Sequence, residues 1–358
     1  MKIHEKYINR CIELAKNGLG LTYSNPMVGS VIVHNNKIIG EGWHQKAGKP
    51  HAEVHAINAV KNKELLKDST IYVSLEPCSH YGKTPPCSDL IVRSKIPNVV
   101  IGALDTNSLV SGKGVEHLVK NGCNVEVGIL KEECLELNKR FYTFHNKKRP
   151  YIILKWAESK DGFIDIDRNV NSIKNAQSTL ISNNYSRQLV HQFRAEEQAI
   201  LIGTETVIKD NPKLNVRTMS GNNPIRVVLD QTLRIPTEYH IFDGSVKTIV
   251  FVDKSTVVNP HYSKIQNLLI ESINFEESVI EQLLNVLYQH EIQSVIVEGG
   301  KQLLESFIDK NYWDEARVFV GSPIFINGVK APFLKGIKKQ ETTIFDNILT
   351  IYQNASTV

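Results

Sequence analysis

The chain has 358 residues, with 42 Lys and Arg against 38 Asp and Glu and a formal net charge of +4. That length supports about two domains with substantial cores, and the lack of any dense basic run beyond Lys147-Lys148-Arg149 argues against a nucleic-acid footprint. Met1 opens a polar segment, no apolar run approaches membrane-spanning length, and the five cysteines make a poor disulfide framework, so a cytoplasmic protein with no membrane partner is expected.

Apolar spacing predicts an amphipathic helix from about His4 to Asn17. Val28–Val33 and Lys37–Gly42 then read as a hairpin around Asn35-Asn36. A helix over His51–Ala59 carries His51 and Glu53, and Thr70–Leu75 reads as a strand. After a Pro-rich loop, a helix starts near Cys87 and a strand spans Val99–Leu104. A helix near Gly114–Asn121, a strand near Val125 and a helix to about His145 complete the first unit. Alternating strands and helices point to a layered α/β sandwich.

The chemistry of this half lies in His51-Ala52-Glu53 and in Pro77-Cys78-Ser79-His80-Tyr81-Gly82-Lys83-Thr84-Pro85-Pro86-Cys87. One imidazole and two thiolates form a zinc-binding set, and three protein ligands leave a fourth position open, as in catalytic sites. Both clusters fall at helix N-termini, where backbone dipoles favour a thiolate. Glu53, two residues beyond the histidine, is placed to carry protons. The pattern H-x-E…P-C-x-x-C marks zinc nucleobase deaminases, but here eight residues separate the cysteines. Taken singly, either cysteine also reads as a small buried hydrophobe. His55, one turn after His51, leaves a two-histidine site conceivable, whereas H-E-x-x-H fails because Ala52 stands where Glu is required.

Lys147-Lys148-Arg149-Pro150 reads as a linker, dividing the chain into 1–146 and 147–358. The second unit restarts with a strand at Tyr151–Trp156. It alternates strands at Ala199–Gly203, Arg226–Leu229, Thr248–Val252 and Ser294–Glu298 with helices near Tyr185–Phe193, Glu276–Tyr288 and Gln302–Asp309. No G-x-G-x-x-G follows any strand, which argues against a Rossmann dinucleotide domain. Glu298-Gly299-Gly300-Lys301 instead closes a strand and opens a helix, where close backbone approach and a helix N-terminus suit a pyrophosphate. The last twenty or so residues carry little signal.

The loop between the two cysteines, together with Asn25-Pro26-Met27-Val28-Gly29 and His44, resembles the deaminase half of the bifunctional riboflavin-biosynthesis deaminase/reductase family. The second half is similar to the reductase half of that family. The likeness rests on Arg149-Pro150-Tyr151 through Lys155-x-Ala157-x-Ser159-x-Asp161-Gly162, on Leu201-Ile202-Gly203-Thr204 and Thr206 to Asp210-Asn211-Pro212, and on Leu214-x-x-Arg217, Pro224 to Asp230 and Glu298-Gly299-Gly300.

The resemblance implies a cytidine-deaminase-like α/β/α sandwich followed by a dihydrofolate-reductase-like α/β domain. It implies one zinc per chain on His51, Cys78 and Cys87, with Glu53 as catalytic proton shuttle and Asn25, His44, His80, Lys83 and Asn107 around the deaminase substrate. In the second half it implies NADPH against Ala157, Leu180, Thr206, Asp210 and Gly300. Lys155, Ser178, Arg194, Leu214, Arg217 and Glu298 would hold the phosphorylated pyrimidine, and a homo-oligomer is expected.

The chain departs from the family pattern in three places. Thr106 and Ser108 replace two prolines after Asp105. Leu180 replaces an aromatic residue expected against the cofactor, and the segment 164–177 is longer and more polar than usual. Leu180 and the long segment motivate an alternative, a deaminase whose second domain has lost catalysis and serves a structural or oligomerising role. A tRNA or cytidine deaminase would need neither the Pro-Pro loop nor a second domain, and a non-catalytic zinc module would not need Glu53.

Overall fold

A computed structural model describes residues 2–79, 85–105, 112–167 and 180–357. The chain divides into two compact units, residues 1–147 and 148–358. No helix among the described residues is long and apolar enough to cross a membrane.

The first unit runs α1 (Lys2–Lys16), β1 (Gly29–His34), β2 (Lys37–Trp43), α2 (Ala52–Ala59), β3 (Thr70–Leu75), α3 (Cys87–Arg93), β4 (Asn98–Ala103), α4 (Lys113–Lys120), β5 (Asn124–Val127), α5 (Lys131–Leu137) and α6 (Lys139–Lys147). Its sheet has the order β2-β1-β3-β4-β5. β1 is antiparallel to β2 and β3, while β3, β4 and β5 are parallel. The β1–β2 turn holds Asn35 and Asn36 at φ 48° and 61°, the double left-handed geometry that asparagine tolerates in a tight hairpin.

Period-two alternation sends Val31, Val33, Tyr72 and Val100 to one face, against Tyr7, Ile8 and Cys11 of α1. Ile32, Ile71, Val73, Val99 and Ile101 go to the other, against Ala56, Ile91 and Leu118 of the opposite helices. The result is a helix–sheet–helix sandwich with a core on each side of the sheet.

The second unit runs β6 (Tyr151–Glu158), β7 (Phe163–Asp165), α7 (Asn184–Glu196), β8 (Ala199–Gly203), α8 (Thr204–Asp210), β9 (Ile225–Leu229), β10 (Thr248–Asp253), β11 (Leu268–Ile273), α9 (Val279–Gln289), β12 (Ser294–Val297), α10 (Lys301–Asp309), β13 (Glu315–Val320), β14 (Val329–Lys330), β15 (Ile337–Ile344) and β16 (Asn347–Gln353). Nine strands form one sheet in the order β11-β10-β9-β8-β12-β6-β13-β16-β15. The seven from β11 to β13 are parallel, β16 is antiparallel to β13, and β15 is antiparallel to β16. Both faces of β6 are buried, with Ile152 and Leu154 in one cluster and Tyr151 and Ile153 in another, as a covered parallel sheet requires.

Two expectations need correction. Arg149 does not belong to a solvated linker: α6 continues to Lys147, and Arg149 is buried with its guanidinium on Asp314 at 2.6 and 2.9 Å. The C-terminal residues are also not featureless, because β15 and β16 extend the large sheet. Nearly every residue of β15 is exposed, so it carries no buried apolar face to betray a strand.

Candidate functional site

In the first unit the site forms where α2 and α3 begin, beside the carboxyl end of β3. α2 lies unusually close to β2 because Gly40 and Gly42 face it. A Cβ at Gly40 would stand 2.3 Å from the Ala56 carbonyl oxygen, and one at Gly42 would stand 2.5 Å from the His55 Cβ. This contact sets the height of His51, which is the N-cap of α2 rather than a residue within it. Cys87 opens α3.

His51 Nδ1 is 3.5 Å from Cys78 Sγ and 3.4 Å from Cys87 Sγ. The three ligand atoms lie within 4.8 Å of one another and form the metal-compatible cluster found among the described residues. Zinc bonds of about 2.3 Å to sulfur and about 2.0 Å to nitrogen, at tetrahedral angles, separate such atoms by about 3.5 Å. The residues present therefore fit zinc. His55 is not part of the cluster.

The backbone N–H of Cys87 donates to Cys78 Sγ at 3.3 Å. The neighbouring Cys87 thiol, with His51 adding to it against burial, holds the Cys78 thiol down to about 4. The hydrogen bond to Cys78 in turn raises the His51 imidazole above its ordinary range.

Glu53 is 3% exposed. Burial, then the Cys78 charge, pushes its carboxyl up to about 7, while His51 and a hydrogen bond from the Cys87 thiol act the other way. A carboxyl poised near neutrality beside the ligands is suited to moving protons.

His44 packs edge-on against His51 with ring centroids 5.3 Å apart. Its Nδ1 is 3.2 Å from the Pro50 carbonyl and its Nε2 is 3.1 Å from Asn25 Nδ2. Asn25, His44 and His51 thus form one chain of contacts. His80, Lys83 and Asn107 lie outside the described residues.

Sequence reasoning missed Glu76. It is buried, and its carboxylate accepts backbone N–H groups from Gly114 at 2.8 Å, Gly112 at 3.0 Å, and Asp105 and Val115 at 3.3 Å. The one available signal was an acidic residue following a nearly wholly buried strand, immediately before Pro77-Cys78.

The second unit holds a cavity of about 1950 Å³, lined by Lys155, Ala157, Leu180, Arg194, Thr206, Asp210, Leu214, Arg217, Glu298 and Gly300 among others. Ser178 lies outside the described residues. Thr206 and Asp210 ride on α8, and a Cβ at Gly300 would stand 3.3 Å from Thr206 Oγ1. The Gly299 carbonyl accepts the Gly203 N–H at 3.1 Å, joining the glycine turn to the end of β8. Gly300 caps α10, leaving helix N–H groups at the cavity wall.

Leu180 is 63% exposed at the cavity edge. Leu214, at φ 51°, is buried in the core, so backbone rather than side chain is what it offers a ligand. Arg187, His191 and Arg194 stand at i, i+4 and i+7 on α7 and all line the cavity. Arg187 and His191 line the cavity but were not named in the sequence reading, and burial lowers the His191 imidazole below its ordinary range. Arg194 pairs with Glu298, and burial lowers the Lys155 ammonium below its usual range, with Glu298 opposing.

Comparison with known proteins agrees with this division. The family model for the RibD C-terminal domain matches residues 150–350, and that for the cytidine and deoxycytidylate deaminase zinc-binding region matches residues 1–103. The chain is 38% identical over 344 residues to the riboflavin biosynthesis protein RibD of Aquifex aeolicus, covering 96% of this chain and 93% of that protein. It is 39% identical to RibD of Bacillus amyloliquefaciens, covering 93% and 88%.

Among solved structures it is similar to the diaminohydroxyphosphoribosylaminopyrimidine deaminase/5-amino-6-(5-phosphoribosylamino)uracil reductase of Thermotoga maritima, with a TM-score of 0.85, 36% identity and 99% of both chains covered. It is also similar to RibD of Acinetobacter baumannii, with a TM-score of 0.88, 32% identity, and 98% of this chain and 99% of that one covered. Full-length coverage at these identities, with both family models on one polypeptide, shows that the chain belongs to the RibD family of riboflavin biosynthesis proteins.

Proposed function

We propose that this chain catalyses two consecutive steps of riboflavin synthesis. The first is zinc-dependent hydrolytic deamination of a diaminopyrimidinone ribosyl phosphate, and the second is NADPH-dependent reduction of the ribosyl side chain to ribityl. The observation that carries the reading is the convergence of His51, Cys78 and Cys87, from two separate sequence clusters, beside a buried Glu53.

His51, Cys78 and Cys87 would hold one zinc and leave a coordination position free. When bound, zinc lowers the pKa of a coordinated water to about 7. Glu53 takes a proton from the attacking water and hands it to the departing amine, so that water oxygen replaces nitrogen on the ring carbon and ammonia leaves. Asn25, oriented through His44, matches the donor and acceptor edges of a pyrimidinone. His80, Lys83 and Asn107 are assigned to the same substrate.

In the second unit NADPH, when bound, supplies hydride, and the protein's task is positioning. Ala157, Leu180, Thr206, Asp210 and Gly300 are assigned to the cofactor. Lys155, Ser178, Arg194, Leu214, Arg217 and Glu298 are assigned to the substrate, with guanidinium suited to its phosphate. No observation favours a second unit that has lost catalysis.

We place the enzyme in the cytoplasm, a reading supported by five cysteines that form no disulfide. Association of identical copies is supported by the exposed edge strand β15, flanked by exposed Phe345 and Ile348. The test is to assay ammonia release and NADPH oxidation separately on the pathway intermediates. Absence of either activity removes the corresponding half of the proposal.

A further inference from the structure

We propose that Glu76 is a positioning residue of the deaminase half. It ties the start of α4 and the Asp105 end of β4 to the segment carrying Cys78, and through them governs substrate binding rather than metal binding. The inference rests on the deamination reading above.

Glu76 is 5% exposed and stands one residue beyond β3. Oε1 accepts from the N–H groups of Gly114 and Val115, and Oε2 from those of Gly112 and Asp105. The N-cap of α4 is Gly112, which has no side chain to satisfy the first N–H groups of the helix. Glu76 supplies that acceptor from a different element and sets a negative charge at the positive end of the helix dipole.

A Ser or Asp at the cap would do the same locally, with no carboxylate to desolvate. What only a carboxylate just past the end of β3 does is join three places. Asp105 and the first turn of α4 share one anion, and that anion lies two residues before a zinc ligand. The contact is tight: a Cβ at Gly114 would stand 2.2 Å from the Pro77 carbonyl oxygen. β3 and β4 are parallel with Leu75 opposite Ala103, so Glu76 and Asp105 both emerge at the carboxyl edge of the sheet, where open α/β sheets receive ligands.

The metal ligands have their own supports. The Cys78 carbonyl accepts from the Ser88 N–H and from Ser88 Oγ, each at 3.1 Å, and Cys78 Sγ accepts from the Cys87 N–H. None of these bonds involves Glu76, so loss of Glu76 should displace the substrate-side elements and spare the metal.

The experiment uses the full-length zinc-loaded chain. Ammonia release is measured against concentration of the diaminopyrimidinone ribosyl phosphate for wild type and Glu76→Gln, alongside zinc content and the visible spectrum of the cobalt-substituted protein. Replacing an ionised acceptor of four N–H groups by an amide should raise KM by about tenfold or more while kcat stays within about threefold. Zinc content and the cobalt spectrum should not change. A KM within about twofold of wild type, or loss of zinc, overturns the inference. If Glu76→Gln does not fold, Glu76→Asp, which keeps the charge but withdraws it by one methylene, carries the same test. A wild type that releases no ammonia sinks the deamination reading and this inference together, whereas an active wild type with an unmoved variant sinks the inference alone.

Discussion

Arg194 grips Glu298 through two hydrogen bonds, Nε to Oε1 at 3.2 Å and Nη2 to Oε2 at 2.8 Å. Both side chains are nearly buried, and although burial pushes the Glu298 carboxyl up, Arg194 and Lys155 hold it down to about 2. A carboxyl depressed in the folded state contributes stability above its ordinary pKa, and that contribution is lost only as pH falls toward 2. Glu298 therefore stays charged throughout the physiological range. Glu298→Ala strands a buried guanidinium and should destabilise the second unit by about 3–5 kcal/mol. Urea unfolding followed by Trp156 and Trp313 fluorescence in a Trp43→Phe background measures it, and a loss below about 1 kcal/mol would show that the pair is solvated.

Lys155 supplies the alkaline counterpart. Burial lowers its pKa from the ordinary lysine value of 10.5. Between the lowered pKa and 10.5 the unfolded chain binds more protons than the folded one, so this group makes stability rise with pH across that window. Denaturant unfolding from neutral pH to about pH 10 should show the rise in wild type and lose it in Lys155→Met. Identical pH profiles would place Lys155 in water.

The close approach of α2 to β2 makes Gly42 a remote control on the metal site. Gly42→Val would drive its side chain into His55 and Ala56, overpacking by about 1–3 kcal/mol. The displacement should reach His51 and Glu53, so zinc content and ammonia release should drop together while NADPH oxidation continues. Full zinc occupancy in this variant would contradict the packing argument.

The chemistry of the donor set gives a sharper test of the metal. Cys78→Ser and Cys87→Ser should each lose zinc and ammonia release, and a strong chelator should reproduce both effects in wild type. Restoration by added zinc should follow in wild type alone. Full zinc in both variants would reassign the ligands.

Leu180 projects into solvent at the cavity edge. An aromatic ring there could stack on the cofactor, and such contacts are worth about 0.5–1.5 kcal/mol. Leu180→Trp should therefore tighten NADPH binding by about threefold to tenfold, read by fluorescence titration. An unchanged Kd would mean that Leu180 does not face the cofactor.

How much of this was legible in the sequence depended on where each residue's partners lie along the chain. Thr70–Leu75 was read to the residue because a short run rich in β-branched and aromatic residues is local information, and Asn35-Asn36 announced its turn for the same reason. The metal set was readable because its ligand types and their Pro-rich spacing are chemically unusual.

His51 was read as the first residue of its helix rather than as the cap, because a cap is settled by backbone angles, which periodicity does not resolve. Arg149 read as linker because its partner, Asp314, lies 165 residues away. Glu76 was missed for a related reason: its four donors come from Asp105, just past β4, and from the start of α4. β15 was missed because Lys338, Gln340 and Glu341 face solvent, and pairing with β16 in the large sheet is what makes the segment a strand.

The most direct test of two chemistries on one chain is a paired assay of wild type and Glu53→Gln, each with measured zinc content. Glu53→Gln keeps the shape of the side chain and removes its proton transfer. The account predicts that ammonia release falls by about two to four orders of magnitude, while zinc content and NADPH-dependent reduction of the deaminated intermediate remain at wild-type levels. Ammonia release within a few-fold of wild type, or loss of both activities together, would contradict it.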